Sequence, residues 1–91
     1  MKVEKSNRKN KRYVALFNDG ERIHFGFKGG STYLDHKDKT KRKNYIARHE
    51  VLEKKFYNDP RRPATLSRFI LWGDATNLNQ AIKDYEKKFN V

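Results

Sequence analysis

Residues 35–72 read DHKDKTKRKNYIARHEVLEKKFYNDPRRPATLSRFILW, which crowds a cationic run, an aromatic helix face and a Pro-bounded apolar segment into 38 residues. Asp38 is placed to cap a helix running to about Phe56, because a short side-chain acceptor satisfies N–H groups that a first turn leaves open. Within it Tyr45, His49, Leu52 and Phe56 recur at steps of four, three and four, with Ile46 beside them, and are predicted to lie on the core. Asn58-Asp59-Pro60 stops this helix, since the residue before proline is driven from helical ψ and proline has no N–H to donate. Pro63 suits the first turn of a second helix, whose Leu66, Phe69, Ile70, Leu71 and Trp72 are apolar on more than one side before Gly73 ends it. That segment is predicted to be the most buried of the chain.

Upstream the period changes. Tyr13, Ala15 and Phe17 alternate with Val14 and Leu16, Asn18-Asp19-Gly20 supplies turn chemistry, and Ile23, Phe25 and Phe27 alternate with His24 and Gly26: a β-hairpin. Gly29-Gly30 ends the second strand, and Thr32-Tyr33-Leu34 either extends or packs under the following helix. Downstream, Asn77 and Gln80 have capping-box spacing, and Leu78, Ile82, Tyr85 and Phe89 form the stripe of a third helix that shows Lys83, Lys87 and Lys88 to water. The predicted fold is α+β: a flexible basic arm over residues 1–12, then one small domain over 13–91, a hairpin packed on three helices. Its core would include Tyr45, Leu52, Phe56, Leu66, Phe69, Ile70, Trp72, Ile82, Tyr85 and Phe89.

Ninety-one residues close a single modest core. Against 11 Asp+Glu stand 22 Lys+Arg, a net charge of +11 that calls for a polyanionic partner. Nucleic acid, an acidic protein surface or an anionic membrane would all satisfy it. With 12 aromatic residues the chain is too rich in rings for a disordered polycation, despite a mean hydropathy of −1.13. There is no cysteine, no apolar run long enough to span a membrane and no signal-peptide core, so an intracellular, unsecreted protein is expected.

Little points to catalysis. His24, His36 and His49 lack the i, i+4 spacing of a helical metal site, and His49 reads as a hydrogen-bonded core histidine. His36 beside Asp35 could pair with Ser67 or Thr65, although nothing in the sequence brings them together. Gly26, Gly29 and Gly30 lack the Lys-Ser/Thr ending of a phosphate loop, and no motif calls for a cofactor. Phe25 and Phe27 could stack on bases, but the core has a prior claim on them.

The cations are the stronger signal. Lys37, Lys39, Lys41, Arg42, Lys43 and Arg48 gather at the start of a helix, where positive charge opposes the macrodipole, so local stability does not explain them. Contact with phosphates does; a merely solvated helix face is the alternative. Arg61 and Arg62 make a second cationic knuckle, on the same side if the two helices form a hairpin. Arg8, Lys9, Lys11 and Arg12 of the arm would order on the same partner. DNA is the favoured partner, and an acidic protein surface is the alternative.

The order His36, Asp38, Arg42, Tyr45-Ile46, Arg48-His49, then Asn58-Asp59-Pro60, then Leu66-Ser67-Arg68 with Leu71-Trp72, then Lys88-Phe89, resembles a family of small basic uncharacterised proteins of nucleocytoplasmic large DNA viruses of algae and protists. The resemblance spans Tyr13 to Phe89 and departs at Phe56-Tyr57 and Arg61-Arg62-Pro63. It implies a viral origin and a virion component, bound to the genome or fixed in the capsid shell, located in the virion and the infected cell. It implies no known activity.

Overall fold

The computed structural model describes residues 1–91 as three antiparallel strands followed by four helices. The strands are β1 (Lys2–Lys5), β2 (Lys11–Leu16) and β3 (Arg22–Phe27), in that spatial order. Residues 1–12 are therefore not a mobile arm. Lys2 to Lys5 pair with Leu16 to Tyr13, Val3 packs on the core opposite Ala15, and the Met1 ammonium donates to Glu86 Oε2 at 3.3 Å. Composition misses this because the gain is in the backbone: β1 satisfies an edge of β2 that would otherwise stay open, whatever its side chains.

The expected hairpin forms, with Tyr13 opposite Phe25 and Ala15 opposite Ile23, and its turn closes by Gly20 N–H to Phe17 O at 3.0 Å. Ala15, Phe17 and Phe25 are buried, with Tyr13 and Ile23 packed beside them. Gly26 sits at φ 79°, a region that side-chain-bearing residues avoid, and a Cβ there would meet Leu71 Cδ1 at 3.0 Å. Leu71 thus packs directly against the backbone at Gly26. Phe27, one residue beyond, is 69% exposed, so the alternation that assigned it to the core fails at the sheet's end.

The first helix is a single turn, α1 (Tyr33–His36), where Asp35 accepts from the Thr32 N–H at 2.8 Å and its hydroxyl at 3.0 Å. α2 (Lys39–Glu53) follows at the predicted cap: Asp38 Oδ1 accepts from Thr40 N–H at 2.9 Å and Lys41 N–H at 3.1 Å. A 3-10 turn carries the chain from Lys54 to Phe56. α3 (Pro63–Leu66) starts on its proline and runs into one wide turn over Ser67–Leu71, in which Trp72 N–H reaches back to Ser67 O at 3.0 Å. Its Leu66, Ile70, Leu71 and Trp72 are the buried centre, as the sequence predicts. Gly73 ends it for a steric reason, since a Cβ there would lie 2.4 Å from Phe69 O. In α4 (Leu78–Phe89) the cap is the Asn77 side chain, accepting from Gln80 N–H at 2.9 Å. Ala81 and Tyr85 are buried, and the Tyr85 hydroxyl donates to Pro60 O at 2.6 Å. Gln80 does not return the capping bond; its amide turns to Asp84.

α2 departs most from expectation. It is the longest helix, yet none of its residues is buried, and Leu52 is 74% and Val51 83% exposed. The apolar face of a three-stranded sheet is already covered by α3 with its wide turn and by α4, which leaves α2 on the rim. Tyr45 alone among its apolar residues packs against the core cluster. Leu52 leaves the predicted core; Phe56, Phe69, Ile82 and Phe89 are half-buried at its margin.

Candidate nucleic-acid interface

Four of the arginines expected to bind a polyanion have acidic partners within the chain. Arg12 grips Asp35 through both terminal nitrogens, each at 2.6 Å, and so ties β2 to α1. That fork, with the Thr32 bonds, holds the Asp35 carboxyl far below the usual carboxylate range. Arg42 donates from Nε to Gly73 O at 2.9 Å and Trp72 O at 3.2 Å, and from Nη2 to Asp74 at 2.6 Å, while lying over the Tyr33 ring. It fastens α2 to the end of the buried segment. Arg61 pairs with Asp19 at 2.8 Å and Glu21 at 2.6 Å over the Phe17 ring. Arg61 of the second cationic knuckle therefore turns to the hairpin's tip and not to α2. Arg62 lies 3.4 Å from Asp59 and over Phe56. All four arginines thus have structural partners within the chain.

Arg8, Lys9, Lys11, Lys37, Lys39, Lys41, Lys43 and Arg48 enter no ion pair. Five of them flank or belong to α2, and all five are exposed. Lys39 and Lys43 stand four residues apart on one side of that helix, with Lys41 and Arg48 seven apart on another. The Asp38 cap offsets their conflict with the helix dipole, and the Lys41 and Thr40 N–H groups keep its carboxyl below the usual range. Lys37 has a strained backbone as well, with φ at 55° where it closes α1.

A groove of about 510 Å³ runs between α2, the end of β3 and α3, with Lys11, Phe27, Arg48 and Glu53 on its walls. Through Ser31, Arg48 and Trp72 it continues into a cavity of about 300 Å³ that reaches His36, Lys41 and Asn44. Its wall is an aromatic stack: Tyr45 lies parallel to Trp72 at 4.1 Å and His49 follows on Tyr45 at 4.0 Å. Burial pushes the Tyr45 hydroxyl pKa well up. His49 is a wall residue bonded to Glu53 at 3.2 Å and 38% exposed, so the reading of a core histidine is corrected. The stack escapes a reading of the sequence, where only the i, i+4 pair Tyr45 and His49 hints at it; Trp72 arrives from 27 residues away.

The acid/base candidates are held apart. Asp35 is engaged by Arg12, His36 Nδ1 accepts from Asp38 N–H at 2.9 Å, and Thr65 donates to Phe56 O at 2.7 Å. No three His, Asp or Glu side chains converge as a metal site would require, and no helix is long and apolar enough to cross a membrane. Phe25 is fully buried and cannot stack on a base, whereas Phe27 is open to one.

No curated protein and no solved structure matches the chain. One family model matches residues 1–49, which carry the whole sheet, α1 and the cationic half of α2. That is more than half of the 91 residues, and the chain belongs to this family of unknown function, DUF5754.

Proposed function

We propose that this protein is a non-enzymatic binding module that attaches to nucleic acid, duplex DNA foremost and without sequence preference. One observation carries the reading: Lys37, Lys39, Lys41, Lys43 and Arg48 crowd the exposed surface at and before α2 without one carboxylate paired to them, while Arg12, Arg42, Arg61 and Arg62 have acidic partners. Such a cluster repels itself in a domain of net charge +11, and a row of phosphates relieves that repulsion while releasing counterions. Following the viral resemblance, the setting would be the virion, with the protein on the packaged genome. Replacing Lys39, Lys41 and Lys43 with Gln should flatten the slope of log K against log salt by about 2.7, at roughly 0.9 for each phosphate that is no longer neutralised. Failure of the full chain to bind duplex DNA at about 50 mM salt, where even weak attachment to phosphates persists, would refute it.

A second reading, a minor capsid protein docked on acidic shell proteins, is favoured by exposed Val51 and Leu52 on the C-terminal half of α2. Fractionating virions separates the two readings: recovery with the nucleoid alone removes the capsid, recovery with the shell alone removes the genome.

A further inference from the structure

The groove beside α2 has features that a duplex-tracking surface does not require. We propose that it takes one unpaired nucleotide of a nucleic-acid strand, the phosphate in the smaller cavity and the base in the larger; this rests on the nucleic-acid reading above. The larger space, about 510 Å³, has the size of a small-ligand pocket and is closed to a double helix. Two unpaired cations, Lys41 and Arg48, wall the smaller cavity.

His36 also lines that cavity, with its Nδ1 accepting from Asp38 N–H. Its Nε2 has no accessible surface, so the phosphate's partners in this cavity are the two cations, Lys41 and Arg48. In the larger space Phe27 offers a ring that the core does not use, 69% exposed at the rim. Base stacking on such a ring is tolerant of sequence. Glu53, on the same wall, provides an acceptor for the exocyclic amines of bases.

The test compares a blunt DNA duplex with the same duplex carrying a short single-stranded extension, by fluorescence anisotropy with the full chain at about 50 mM salt. The extended duplex should bind about tenfold more tightly, within the range of one stacked base. Phe27→Ala should reduce it to the blunt level while leaving blunt binding and Tm unchanged, and Lys43→Gln should weaken both alike. Equal binding of the two duplexes, or a preference that survives Phe27→Ala, overturns the groove assignment and leaves the duplex reading standing. Absence of binding to either overturns both.

Discussion

Arg42→Gln separates a strut from an interface residue. The Arg42 side chain is 25% exposed; its Nε serves the Trp72 and Gly73 carbonyls, and its Nη2 serves Asp74. Asp74 is 94% exposed, so that ion pair contributes little, about 0.5 kcal/mol or less. The charge-assisted bonds to the carbonyls contribute about 1.5–2 kcal/mol, because Trp72 O keeps a donor in Arg68 Nη1 while Gly73 O loses its own. The position over Tyr33 adds roughly 0.5 kcal/mol. Loss of about 2–3 kcal/mol corresponds to a fall in Tm of roughly 10–20 °C for a domain of this size. Lys43→Gln, exposed and unpaired, should cost no more than about 0.5 kcal/mol. Thermal unfolding followed by circular dichroism gives both stabilities, and DNA titrations at several salt concentrations give the salt slope of each variant. An Arg42→Gln protein as stable as Lys43→Gln, with a salt slope reduced by about one, would refute the reasoning and return Arg42 to the binding face.

Gly73→Ala should destabilise by about 3 kcal/mol or more, since the new methyl would meet backbone at 2.4 Å and displace the carbonyl that Arg42 holds; denaturant unfolding checks it. Leu66→Ala should cost about 2–5 kcal/mol and Leu52→Ala under about 0.5 kcal/mol, although the sequence pattern assigns both to the core; chemical denaturation of the pair measures where α2 lies. Asp35 has a depressed pKa in the folded protein, so its contribution is complete above the unfolded value and is lost as pH falls through the folded one. Asp35→Asn should therefore be less stable than the parent at pH 7, with the gap closing from about pH 4 downward; unfolding curves along that range show it.

Much of the fold is legible in the residues because it rests on local rules. Asp38 and Asn77 cap the helices that their positions predict, Pro63 opens a helix, and the alternating runs on either side of Asn18-Asp19-Gly20 pair as a hairpin. These are consequences of backbone geometry within a few residues of each cause. Leu66, Ile70, Leu71 and Trp72 are likewise buried, from a run that is apolar on more than one side.

What the tertiary structure alone decided is which charges and rings are left over. Arg12, Arg42 and Arg61 look identical in sequence to Arg48, yet their acidic partners lie 23, 32 and 42 residues away, a separation that no local pattern encodes. The stripe of α2 is visible in the sequence, but whether it is covered depends on how much of the sheet α3 and α4 already occupy. The strand Lys2–Lys5 is hidden for a related reason, since it is held by backbone pairing that any side chains would permit. Composition thus determined that the protein would carry an excess of positive charge; only the folded chain, by neutralising some cations and stranding others beside an open groove, decided where that charge is available to a partner.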